Sequence, residues 1–91
     1  MLACDLRCQI ALYPWDQAEA WGILGCESGH GTNPRAYDID AENGGAWQLN
    51  RATWAAYFRR EPFGWEWERV VLDDAVNTAA AWTIYERAGR T

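Results

Sequence analysis

Glu27 has the clearest chemical potential in the chain. It sits in Cys26-Glu27-Ser28-Gly29, where an apolar, helix-patterned segment runs out into a glycine-rich loop. A carboxylate at a helix C-terminus meets the partial negative charge of the backbone dipole. Apolar neighbours such as Trp21 and Leu24 are expected to add a desolvation cost in the same direction. Both effects favour the protonated carboxyl, the form from which a general acid donates. Two further acids, Asp38 and Asp40, follow eleven and thirteen residues later in the loop. They read either as partners of Glu27 or as turn-forming residues whose carboxylates bond nearby backbone. Cys4, Cys8, Cys26 and His30 repeat a Cys-x3-Cys and Cys-x3-His spacing, the general form of a structural zinc site. The competing and preferred expectation is no metal, and a disulfide from Cys26 to Cys8 or Cys4 with one thiol left free.

The elements that would position these residues are mainly helices. Pro14 suits a first helical turn, and Asp16 and Glu19 complement the dipole behind it. Trp15, Ala18, Trp21, Leu24 and Gly25 then recur at helical spacing, which predicts a largely buried helix up to Cys26. A shorter helical piece is expected from Asp5 to Leu12. Ser28 to Gly45 is rich in Gly, Asn and Asp, so it reads as loop or a short irregular hairpin. Asn50 is placed to cap a helix carrying Trp54, Tyr57 and Phe58, with Pro62 beyond its end. The Phe63–Trp67 stretch stays ambiguous, because Trp65-Glu66-Trp67-Glu68 alternates like a strand yet is short. The last helix is expected to open on Asp73 and Asp74 and to bury Val76, Ala79, Ala80, Thr83 and Ile84. Arg87 falls in its final turn, and Gly89 should close it.

Composition bounds the possibilities. A chain of 91 residues, 49% of them hydrophobic, is expected to form one packed domain near the lower size limit for a self-sufficient core. Seven Trp exceed what such a core comfortably hides, so either some are exposed, where flat aromatic faces suit sugar rings, or, with equal weight, a small protein is using bulky residues to compensate for its size. The net charge of −5 disfavours a phosphate-backbone partner, so no nucleic-acid binding is expected. No apolar run approaches the ~20 residues that span a bilayer. The N-terminus lacks a basic region followed by an apolar stretch, so no signal peptide is recognisable.

Four motifs occur in order: Cys26-Glu27-Ser28-Gly29, Asn33-Pro34-Arg35-Ala36, Gly45-Ala46-Trp47-Gln48-Leu49-Asn50 ahead of Trp54, and a last helix with Asn77, Ala81 and Ile84-Tyr85. Together they resemble the lysozyme-like superfamily, in particular soluble lytic transglycosylases, goose-type lysozymes and related phage and actinobacterial cell-wall domains. The resemblance spans roughly residues 15 to 89. It implies a small, mostly α, lysozyme-like domain with an irregular loop or short hairpin between helices, minimal or truncated relative to longer members.

The implied activity is cleavage of the N-acetylmuramic acid to N-acetylglucosamine linkage of peptidoglycan, by a muramidase or a lytic transglycosylase, with no cofactor. Glu27 matches the catalytic acid. Ser28 matches its neighbour, supporting the acid or a substrate N-acetyl group. Gln48 matches a cleft-lining, sugar-bonding residue, Trp47 would pack beneath the cleft, Asn50 is a further expected substrate contact, and Tyr85 matches an aromatic that lies either near the acid, as a substrate contact, or, the favoured placing, in the core. Inverting hydrolysis needs a base ~6.5–9.5 Å from the acid, for which Asp40 is the first candidate and Asp38 the second. A transglycosylase needs no base, because the substrate's own C6 hydroxyl attacks. The chain lacks the further transglycosylase segment and carries two loop acids, which tilts the expectation toward hydrolysis. The implied partners are glycan strands, met extracellularly, in the periplasm or from a virion, within a larger phage or cell-wall assembly. The alternatives are a non-catalytic wall-binding or phage-structural module and, less favoured, a small zinc-binding interaction module.

Overall fold

The computed structural model describes residues 4–88. Five helices surround a two-stranded ribbon: α1 (Leu6–Ala11), α2 (Gln17–Ser28), β1 (Asn43–Gly44), β2 (Leu49–Asn50), α3 (Arg51–Arg59), α4 (Trp67–Leu72) and α5 (Asp74–Arg87), with a 3₁₀ turn at Pro34–Tyr37. The protein is therefore mostly α, with the expected short hairpin in its loop-rich middle. β1 and β2 are antiparallel, with Asn43 opposite Asn50 and Gly44 opposite Leu49. Among the described residues no helix is long and apolar enough to cross a membrane.

Side-chain caps set most helix starts. Asp5 accepts from the Cys8 amide, Asp16 from Glu19, Asn50 from Thr53, and Asp73 from Ala75 and Val76. The second cap corrects an expectation. α2 begins at Gln17 and not at Pro14, because Asp16 supplies an acceptor for the unpaired first-turn amides that proline cannot supply. The buried stripe moves with the start. Ala20, Leu24 and Ser28 face inward, Ala18 is exposed and Trp21 is half-buried, so α2 is a surface helix with one buried edge. Trp15 lies before the helix and is still buried, its indole N–H donating to the Ile10 carbonyl at 2.9 Å.

The ambiguous stretch resolves as an entry to α4, which starts at Trp67 with no side-chain cap bond from Glu66. α5 buries more than the predicted stripe. Val76 and Ala80 are buried as expected, Ala79, Thr83 and Ile84 are only half-buried, and Asn77, Thr78 and Ala81 are buried instead. The reason is that α5 is packed by α1, α4 and the hairpin, so a single apolar stripe would not serve it. Gly89, expected to close α5, lies outside the described residues.

The core has two parts. Leu6, Ile10, Leu24, Trp15 and Trp47 centre the first, and Phe58, Val70, Val76 and Ala80 the second, with Leu49 packed against both. No Trp is exposed: Trp15 and Trp47 are buried and the other five half-buried, so the reading of exposed sugar-facing rings does not hold. The rings cover one another. Trp15 alone contacts Tyr13, Trp47, Trp82 and Tyr85 at centroid distances of 4.9–5.9 Å. Such pairs satisfy aromatic surface that a small core could not otherwise hide.

Tyr37 joins the 3₁₀ turn to the start of α5, donating to the Asp74 carboxylate at 2.8 Å. Burial, with the hydrogen bond and charge of Asp74, raises its pKa above the ordinary 10.0. The folded state thus favours neutral tyrosine. Its contribution is complete below pH 10 and is lost as pH rises from there toward the folded-state pKa. Unfolding midpoints measured across pH 9–12 should fall with pH, and Tyr37→Phe should flatten that decline. An unchanged slope in the variant would refute this role.

Candidate active site

Glu27 occupies the last turn of α2 with an exposed side chain. Solvent surrounds it, so the expected burial against Trp21 and Leu24 does not occur. Leu24 points into the core, and Trp21 packs under His30 and Arg7. Among the described residues the Glu27 carboxylate has neither a hydrogen-bond nor an ion-pair partner.

The turn beneath it is held closely. Ser28 is buried, its Oγ accepting from the Gly31 amide at 2.9 Å and donating to the Leu24 carbonyl at 3.4 Å. Gly29 ends the helix at φ +60°, where a side chain would be strained. The His30 ring stacks on Trp21 at 3.8 Å between centroids, and its Nε2 lies 3.0 Å from the Trp21 carbonyl oxygen. A Cβ on Gly25 would come within 2.9 Å of that ring, so Gly25 is what lets the histidine lie down. Ser28 therefore supports the turn from inside, and it does not face outward beside the acid.

The hairpin motif forms a second rigid piece. The Gly45 amide donates to the Ala36 carbonyl at 2.6 Å, tying the Asn33-Pro34-Arg35-Ala36 turn to the ribbon. Gln48 sits at φ +51°, and its amide Nε2 donates to the carbonyls of Ala36 (3.3 Å) and Gly45 (3.1 Å). The amide that sequence assigns to sugar is thus engaged with backbone. Asn77 of α5 is fully buried and clamps the ribbon, donating to the Gly44 and Val70 carbonyls and accepting from the Trp47 amide. The Trp47 indole donates to Thr78 Oγ1 at 2.9 Å. Asn50 is the cap of α3, with Oδ1 bonded to the Thr53 amide and hydroxyl.

Trp47 and Tyr85 do come together. With Trp15, Ile23 and Leu49 they line an apolar groove of about 280 Å³ between α2 and α5, with Asp16 and Glu19 also in its lining. Glu27 does not line it. However, Glu19, Ile23 and Glu27 are spaced i, i+4, i+8 and share one face of α2, so Glu27 continues the row beyond the groove. Sequence reasoning assigned Glu19 only to the helix dipole and passed over Ile23. Their spacing to Glu27 was the available signal.

The loop acids lie elsewhere. Asp38 Oδ1 accepts from the Asp40 amide at 2.9 Å, the turn chemistry weighed from sequence. Asp40 is exposed and borders a separate hollow with Glu42 and Arg51, whose lining does not include Glu27. The cysteines also depart from expectation. The disulfide joins Cys4 to Cys8, four residues apart, and Cys26 is the exposed free thiol. Cys4 and Cys8 lie four residues apart around the start of α1, with their Cα atoms 5.1 Å apart, while Cys26 is exposed on α2. The four-residue zinc spacing is therefore divided among a disulfide, a surface thiol and a stacked imidazole. Among the described residues no cluster of three or more His, Cys, Asp or Glu is placed to hold a metal. Compared with family models, curated proteins and solved structures, the chain matches none.

Proposed function

We propose that this domain cleaves peptidoglycan at the N-acetylmuramic acid to N-acetylglucosamine linkage, with Glu27 as the general acid. One observation carries the reading: an unpartnered, solvent-facing carboxyl stands on a turn that Ser28, Gly29 and the stacked His30 hold fixed. Protein-imposed rigidity around a free acid is costly in stability terms and useful where the acid must meet a substrate oxygen in a set position. In the proposed step Glu27 gives its proton to the glycosidic oxygen as the bond to the anomeric carbon breaks. The carbon is then captured by water or by the substrate's C6 hydroxyl. The Cys4–Cys8 disulfide suits work outside a reducing compartment, in the periplasm, the extracellular space or a virion.

A wall-binding module without catalysis is the second reading, favoured by the fact that the aromatic groove is lined by neither Glu27 nor Asp40. A zymogram on purified peptidoglycan separates the two, since only the enzyme clears it. The mass of the released fragments then separates hydrolysis from transglycosylation, the anhydro product being one water lighter.

For hydrolysis the proposed base is Asp40, carried over from the resemblance and not from the geometry, since the hollow it borders is not lined by Glu27. Asp40→Asn should lower product release by about 10²-fold or more, within the usual range of general-base assistance. Asp38→Asn, which alters the same turn through its bond to the Asp40 amide, measures loop damage alone. Equal loss in both variants would remove Asp40 from the mechanism.

A further inference from the structure

We infer that the hollow along α3, edged by Arg51, Arg59 and Arg60, docks an extended acidic segment of a partner polypeptide. Arg51 and Arg59 stand eight residues apart on one helix face, with Ala55 between them, and Arg60 follows at the helix end. All three arginines are exposed. Eight residues of helix carry Arg59 about 12 Å along the axis from Arg51. Ala55 and Ala56 line the hollow between them, and side chains this small let a polypeptide backbone lie down among the guanidinium groups.

The lining carries three cations against one acid, in a chain whose net charge is −5. This face therefore differs in sign from the molecule as a whole. Helix stability accounts for only part of it. Arg59 and Arg60 complement the negative end of the α3 dipole, whereas Arg51, the first residue of the helix, stands at the positive end and is opposed by it.

The chain itself shows what the hollow attracts. Glu66 lies at the N-cap position of α4 but makes no side-chain cap bond. Its carboxylate stands instead 3.7 Å from Arg59 Nε, with both side chains largely exposed. An ion pair this open is weak, so an incoming carboxylate can replace it. Arg51 and Arg60 have no ion-pair partner among the described residues. One guanidinium is thus lightly held by an internal carboxylate, and two are open to external ones.

Spacing fixes the shape of the partner. In an extended chain each residue rises ~3.3 Å and successive side chains alternate in direction. Acids at i and i+4 then share one side about 13 Å apart, close to the span from Arg51 to Arg59, and an acid at i+2 falls between them. The planar guanidinium fork pairs well with carboxylates. Arg51 also borders the neighbouring hollow with Asp40 and Glu42, which repel an anionic chain, so the bound segment runs from Arg51 toward Arg60. A second copy of this chain is a poor occupant, since each brings a net charge of −5 against the other. Glu27 lines neither hollow, and the inference does not rest on the proposed cleavage.

The test is equilibrium binding of labelled peptides to the full chain, read by fluorescence polarisation. The probes are a glycine-serine peptide with glutamates at i, i+2 and i+4, its glutamine counterpart, and a permuted peptide whose three glutamates are adjacent. The spaced acidic peptide should bind about tenfold more tightly than the glutamine peptide and about threefold more tightly than the permuted one, with both preferences shrinking as salt is added. Arg51→Gln, Arg59→Gln and Arg60→Gln should each weaken it about two- to fivefold, and the triple variant should bind it no better than the glutamine peptide. Glu66→Gln, which frees Arg59, should tighten binding about two- to threefold. Arg35→Gln and Glu68→Gln change the net charge equally at exposed positions outside the hollow, and both should stay within about 1.5-fold of wild type. Thermal melts of every variant check that the fold is retained. Equal binding of the acidic and glutamine peptides, or a loss at Arg35→Gln as large as at Arg51→Gln, overturns the proposal. Tighter binding of single-stranded DNA of matched charge would assign the face to phosphate chains and overturn it as well. So would sedimentation of the wild type as a dimer that the triple variant dissociates, which would assign the face to a second copy.

Discussion

Glu27→Gln should leave the domain folded and reduce peptidoglycan clearing by about 10²–10⁴-fold, the usual contribution of a general acid. The amide keeps the shape of the side chain and removes its transferable proton. Because Glu27 is exposed and without a partner among the described residues, the exchange breaks no contact there, and helicity and thermal midpoint should match the wild type. Activity and stability are thereby separated in one variant. A zymogram in dilution series, paired with a thermal melt, reads both. Clearing at the wild-type rate by the glutamine variant, with fold intact, would dismiss Glu27 as the acid. Loss of fold would instead show that its carboxylate makes a stabilising contact that the structure does not contain.

The largest stability effect is expected at Asn77. Its side chain is fully buried and makes three hydrogen bonds, to the Gly44 and Val70 carbonyls and from the Trp47 amide. Asn77→Ala strands all three backbone groups away from water. Each stranded group costs ~1–3 kcal/mol, and partial relaxation makes ~3–5 kcal/mol a reasonable total. In a domain of this size that corresponds to a fall in Tm of about 12–25 °C or more, enough to leave the variant marginal at growth temperature. Gly45→Ala approaches the same contact from the other side. Its φ is +82°, and an added Cβ would collide with the Asn77 amide. The double variant should lose less than the sum of the single losses, because both break one junction. Midpoints within about 3 °C of wild type for Asn77→Ala would show that the junction is not holding the ribbon.

The parts of the structure that were legible in sequence are those with local causes. Asn50 caps α3 and Asp73 caps α5, because a side chain three residues from the first free amides needs no distant partner. The short hairpin follows from Gly44 and Gly45 within a polar, turn-rich stretch. Asp16 was equally local, yet Pro14 two residues earlier offered a competing start, and the frame of α2 turned on that choice. What was not legible depends on tertiary neighbours. Glu27 was expected to be buried by Trp21 and Leu24, but α2 presents only its Ala20, Leu24 and Ser28 edge to the core. The surplus of Trp left exposed rings and simple bulk equally open, and ring-on-ring packing of Trp15, Trp47, Trp54, Trp65 and Trp82 decided for bulk. For Gln48, the motif could not reveal that the amide would be spent on the Ala36 and Gly45 carbonyls. Nor could cysteine spacing decide the disulfide, since Cys4, Cys8 and Cys26 allow three pairings and the choice of Cys4 with Cys8 depends on how the chain folds around α1.

Leu49 packs against both halves of the core and also lines the groove. A two-residue strand has too few hydrogen bonds to protect its own amides, so any resistance to opening must come from these tertiary contacts. Local unfolding of the α3–α4 half would therefore reach the groove through Leu49 as well as through α5. The hairpin then acts as a second joint of the domain beside α5, whose Ala81 lies in one half of the core and whose Val76 and Ala80 lie in the other.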